Sequence, residues 1–188
     1  MNLMSDRREQ ILDAAIAVLG TKGLRALTHR AVDAQAGLPE GSTSNSFRTR
    51  EALVGGILDR LVEIETAVWS RLAGQRPPRS LEQFAQLIGD MVGEVTGPAR
   101  ALTLARHAIF HEAAFHPGLQ EKIRAARHRL AAWGEPWLAQ FGSTAPAADY
   151  LTVLALIDGL VAIQLACPEP DFDPTPSILT TLRGMTTT

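Results

Sequence analysis

The sequence predicts an all-helical fold, and three features carry that expectation. Ala and Leu are abundant while runs of β-branched residues are few, a bias that favours helices over strands. Apolar residues recur three and four apart in successive segments, which gathers them on one helical face. Gly, Pro and capping side chains punctuate those segments where helices would start and stop.

At 188 residues, 46% of them hydrophobic, the chain can bury a sizeable core as one large domain or two small ones. The 20% charged fraction is too low and too evenly mixed for disorder. A net charge of -2 excludes a bulk polycation, so any nucleic-acid contact must rest on local charge. Residues 1–53 carry seven Arg and Lys against six Asp and Glu, a weakly basic front. The lone Cys167 excludes an intrachain disulfide and suits a reducing cytoplasm. Residues 1–10 are polar and offer no apolar signal core. The most apolar stretch, 151–167, contains Thr152, Asp158 and Gln164 and is short for a membrane span. A cytoplasmic protein with no membrane partner is expected.

Ser5 is the expected cap of a first helix, with Asp6 and Glu9 in its first turn, Ile11, Ala14, Ala15, Val18 and Leu19 inside, and Gly20 and Gly23 at its end. Thr28 caps a second helix carrying Ala31, Val32, Gln35 and Ala36, and Gly37 breaks it. Pro39 suits the first turn of a third helix ending near Phe47. Thr49 caps a fourth, with Leu53, Ile57, Leu58, Leu61, Ile64, Val68, Trp69 and Leu72 at helical spacing. Residues 74–79 read as a linker. Ser80 and Gln83 form a capping box for a fifth helix ending at Gly97-Pro98. A sixth helix covers about 99–115, and a seventh follows to about 141, with Pro136 expected to kink or split it. An eighth covers about 147–166, and a last spans about 177–184 beyond a Pro-rich linker.

Residues 28–50 stand apart. The third helix is short, polar and poor in helix propensity, so it must be held by the first two, leaving a Ser/Thr/Asn face free. The pattern reads as a helix-turn-helix, whose second helix enters the major groove with its N-terminal residues at base edges. Asn45 suits bidentate pairing with adenine, Ser42 and Thr43 suit any base, and Gly41 allows close backbone approach. Thr28 and His29 open the second helix, where free amides suit a phosphate. Arg30, Arg48 and Arg50 supply cationic grip, and Asp33 is expected to turn inward to the start of the third helix or to an Arg.

These segments resemble the N-terminal domain of TetR-family transcriptional regulators. The resemblance rests on Ala36-Gly37-Leu38 at the turn, Gly41 opening the recognition segment, Phe47 as the aromatic and Arg50-Glu51-Ala52-Leu53 opening the fourth helix. Ile11, Ala14, Ala15 and Leu19 of the first helix fit as well. Departures are Asp33 where a small alanine is usual, Pro39 where a capping hydroxyl is common, and Ser44 and Ser46 where aromatics often sit. The resemblance implies residues 1–50 as a helix-turn-helix DNA-binding domain, with Ser46 among its contact positions. It implies residues 51–188 as a larger helical domain for ligand binding and dimerisation. The expected function is a homodimeric transcriptional regulator that binds double-stranded operator DNA, a repressor released by a small-molecule effector.

His107, Phe110, His111, Trp133 and Trp137 are the candidate effector contacts, offering aromatic surface and polar handles. The eighth helix is apolar on more than one face, which points to a partner copy met through Leu156, Gly159, Leu160 and Ile163. Two other classes compete: a helical small-molecule-binding dimer with a degenerate head, and a metal-dependent enzyme using His107 and His111 beside Glu112. No catalytic triad spacing, phosphate loop or dinucleotide fingerprint appears, so no enzyme activity, cofactor or metal is expected.

Overall fold

The computed structural model describes residues 3–73 and 77–186, apart from the side chains of 3–5 and 69–73. The side-chain roles expected for Ser5, Trp69 and Leu72, and the start of the expected linker at 74–76, lie outside the described residues. Within them the chain is helical, with no strand: α1 (Leu3–Lys22), α2 (His29–Ala36), α3 (Ser42–Ser46), α4 (Arg50–Ala73), α5 (Leu81–Thr96), α6 (Arg100–Ala113), α7 (Pro117–Gln140), α8 (Pro146–Ala166) and α9 (Thr175–Thr186), with one 3-10 turn at Leu24–Ala26.

Several helix ends follow local chemistry. The Thr28 hydroxyl accepts from the Ala31 amide at 3.1 Å, and the Thr49 hydroxyl accepts from Ala52 at 3.0 Å. Gly37 stops α2 in the left-handed region at φ 65°, where a side chain would be strained. Ser80 accepts from the Gln83 amide at 3.3 Å, but the Gln83 side chain reaches back to the Arg79 amide and not to Ser80, so the box is displaced by one residue. Other ends differ from expectation. Helix α1 already starts at Leu3, which puts Ser5 inside it. It also runs through Gly20, where an added Cβ would lie 2.1 Å from the Ala101 carbonyl oxygen; that glycine admits the α6 backbone and does not end the helix. Pro136 sits inside a continuous α7 and does not split it.

The chain divides into two compact units, Met1–Leu72 with Ala101–Ile123, and Ala73–Arg100 with Arg124–Thr188. In the first, Ile11, Ala15 and Leu19 of α1 pack with Val32, Phe47, Leu53, Ile57, Leu61, Ala105 and Ile109 in one buried cluster. Polar ties reinforce it: Arg60 of α4 holds Asp13 of α1 at 2.8 and 3.1 Å, with Glu9 at 3.4 Å and Glu63 at 3.3 Å. Hydrogen bonding to Asp13, despite partial burial, raises the Arg60 pKa further, so this cation is permanent.

In the second unit, Phe84, Ile88 and Val92 of α5 are buried, as are Leu138 of α7, Tyr150, Val153, Val161 and Leu165 of α8, and Ile178 and Leu182 of α9. Among the described residues α8 is the one helix that meets the length and apolarity of a membrane span. Its apolarity has two local sources. One face belongs to this core, and Leu151, Ala155, Gly159, Ala162, Ile163 and Ala166 form a separate exposed stripe. Between them Asp158 is ion-paired to Arg127 of α7 at 2.7 Å.

Candidate nucleic-acid interface

The site is built on α3, a helix of five residues that propensity alone would not maintain. Its support is the carboxylate of Asp33, 98% removed from solvent on α2. Asp33 Oδ2 accepts from the Gly41 amide at 2.8 Å, and Oδ1 accepts from the Thr43 amide at 2.7 Å and from the Thr43 hydroxyl. The inward turn expected of Asp33 is realised as a cap delivered from a neighbouring helix. Burial works to raise the Asp33 pKa. The Thr43 hydroxyl, the Thr43 and Gly41 amides and the nearby His29 outweigh it and hold the carboxyl below its ordinary value. Gly41 supplies the N-cap position at φ 91°, a left-handed conformation, so α3 starts at Ser42 and Pro39 lies before it.

This anchoring corrects the outward placement expected for two residues. Thr43 is completely buried and engaged with Asp33. Ser42 is buried too, donating from its hydroxyl to the Pro39 carbonyl at 2.6 Å and accepting from Arg7 of α1 at 2.9 Å. The physical reason is that a helix this short needs its hydroxyls to fasten it. Ser44 donates to the Gly41 carbonyl at 3.0 Å, and Ser46 to the Ser42 carbonyl at 3.2 Å. Asn45 is the exposed residue of the helix.

Phe47 closes α3 from below and is buried, with Arg8 of α1 stacked over its ring at 4.4 Å. An added Cβ on Gly56 would lie 2.7 Å from that ring, so α4 must pass close to it. Around α3, Thr28 and Arg48 are exposed, His29 is half-buried with its Nε2 enclosed and unpaired, and Arg30 pairs with Glu40 at 3.2 Å. Arg50 donates to the Leu27 carbonyl at 3.1 Å and lies 3.9 Å from Glu112 of α6. Its guanidinium therefore fastens α4 to its neighbours as well as lying half exposed. Sequence reasoning missed Arg7, Arg8 and Glu40. No local pattern marks the first two, because their partners lie 35 and 39 positions away in sequence.

The candidate effector residues fall in both units. In the first, His107 and Phe110 are half-buried, His111 is exposed, and Arg106 lies 4.7 Å over the Phe110 ring. In the second, Trp133 packs against Phe84 with centroids 6.4 Å apart, and Trp137 is half-buried. Glu112 faces His116 at 3.5 Å as well as Arg50. Among the described residues no three His, Cys, Asp or Glu side chains gather as a metal site would require.

Comparison with known proteins places this architecture. The family model described as bacterial regulatory proteins, tetR family, matches residues 11–57. The model of the tetracyclin repressor-like C-terminal domain matches residues 79–188. No curated protein matches the sequence. Among solved structures, a candidate transcriptional regulator from Streptomyces coelicolor A3(2) is 22% identical with a TM-score of 0.76, covering 97% of this chain and 99% of its own. A candidate TetR-family regulator from Rhodococcus sp. is 19% identical with a TM-score of 0.77, covering 97% and 100%. The multidrug binding protein EbrR, complexed with ethidium, is 25% identical with a TM-score of 0.70, covering 97% and 99%. A three-helix head with a capped recognition segment, a helical body and two family models that together span most of the sequence lead to one assignment: the chain belongs to the TetR family of bacterial regulatory proteins.

Proposed function

We propose that this protein is a cytoplasmic, homodimeric transcriptional repressor whose heads, residues 1–50, each set α3 into the major groove of one half-site of a pseudo-palindromic operator. The observation that supports it best is the anchoring of α3. A buried carboxylate, an arginine from α1 and four hydroxyl bonds hold five residues that have no core of their own, with Asn45 facing out. Asn45 would read adenine, and Gly41 would allow close approach. The α2 amides at Thr28 and His29 would meet a phosphate, Arg48 a second, and Arg50 adds grip through its exposed half. Ser42, Thr43 and Ser46 then act as fasteners of the reading helix.

Residues 51–188 would form the effector and pairing domain. The exposed α8 stripe supports pairing of two copies: an added Cβ on Gly159 meets nothing within 4 Å, so no intrachain contact demands a glycine there. Ile163 shares that stripe, and Leu156 and Leu160 flank it half-buried. By analogy with EbrR, a multidrug binding protein, the effector would be a small molecule with aromatic surface. Each unit offers candidate contacts of its own, His107, Phe110 and His111 in the first and Trp133 and Trp137 in the second. Release follows if the effector prefers a state with lower DNA affinity, by no more than that preference.

A mobility-shift assay on DNA upstream of the gene tests the reading. At low salt, where phosphate contacts are strongest, a discrete shifted band is expected, and no shift would overturn it. An effector should raise the melting temperature and remove the band.

A further inference from the structure

All four hydroxyls of α3 bond inside the protein, so its outward chemistry reduces to Asn45 and whatever flanks it. Directly before the Gly41 N-cap stands Glu40, an acid that a nearby phosphate would repel. Its side chain is 77% exposed and that of Arg30, on the first turn of α2, is 84% exposed, with Arg30 Nε 3.2 Å from Glu40 Oε1. An exposed ion pair of this kind contributes little to stability, so holding the fold together does not account for it.

We propose that Arg30 and Glu40 form one base-reading unit for a cytosine and a guanine in each half-site. The proposal rests on α3 entering the major groove. A carboxylate only accepts: in that groove cytosine N4 offers a donor with no acceptor beside it on the same base, adenine offers its N6 donor next to the repelling N7, and guanine N7 and O6 and thymine O4 repel it. With Nε turned to Glu40, the two Nη groups of Arg30 remain as a fork for guanine O6 and N7 of the same or the adjoining pair. Glu40 therefore does two jobs. It reads cytosine directly, and it fixes the angle of the arginine fork. It also penalises binding to arbitrary DNA, because its charge opposes phosphate contact unless an amino group compensates.

Selection from a randomised duplex pool with the full-length wild type, E40A, E40Q and R30A tests this. The wild type should enrich a two-fold symmetric site with one C·G position per half attributable to the pair. E40A should lose about tenfold of the cytosine preference at that position alone, leave the other positions unchanged, and bind non-cognate DNA more tightly. E40Q should shift that position towards adenine, and R30A should lose the guanine preference. A wild-type motif that E40A leaves unchanged at every position would overturn the pair's role alone. A wild type that enriches no motif would overturn the regulator reading and this inference with it.

Discussion

At the scale of single residues, Asp33 fastens the start of α3. Two amides and a hydroxyl converge on a buried carboxylate that is held below its ordinary pKa. A carboxyl with a depressed folded pKa adds stability above its unfolded pKa, about 3.9. That contribution is lost as the pH falls through the folded value. Chemical unfolding of Asp33→Asn should therefore show a shallower fall in stability between neutral pH and acid than the wild type. Asp33→Ala should cost about 1–3 kcal/mol at neutral pH, since it leaves two amides at the start of α3 without their acceptor. Asn45 and Arg48 divide differently. Asn45→Ala should relax base preference at one position of the selected site. Arg48→Ala should weaken all duplexes alike and reduce the slope of log affinity against log salt by about one. Equal loss of affinity and specificity in both would contradict the division.

Among the helices, what the sequence disclosed and what it hid have physical causes. The caps at Thr28 and Thr49 and the stop at Gly37 were legible because each is a contact within three or four positions. The inward turn of Ser42 and Thr43 was not, because composition makes a run of Ser, Thr and Asn look like a reading face; only the positions of Asp33 and Arg7 in space show it to be a fastening. Gly134 was equally opaque, lying without a turn inside α7. An added Cβ there would sit 1.8 Å from the ring of Tyr150 on α8, a side chain buried enough to raise its hydroxyl pKa. Gly134→Ala should cost about 1–3 kcal/mol by overpacking. Paired with Tyr150→Leu, the loss should fall short of the sum of the two single losses, as expected for residues in contact. Additive thermal melts would place the two helices further apart than this geometry does.

For the molecule as a whole, weak charge would make the proposed pairing decisive. With a net charge of -2, the chain has no bulk attraction for DNA. Each head adds only a few cations, and Arg30 and Arg50 already face Glu40 and Glu112. In the proposed complex, two heads on one operator would double the phosphate contacts and so steepen the salt dependence. The α8 stripe is an apolar surface available for pairing among the described residues, and Ile163 on it is 68% exposed although large and apolar. The stripe was legible as an excess of apolar residues, but Leu156 and Leu160 could not be told from Gly159 and Ile163 until the helix was oriented by its buried Val153, Ile157 and Val161. Ile163→Glu should place a charge in that stripe without disturbing the core of its own unit. Sedimentation should then show a monomer whose helical circular dichroism matches the wild type. Its DNA affinity should fall by more than tenfold, and its salt slope to about half, because one head binds alone. If the variant instead stays dimeric with full affinity, pairing must use a different surface.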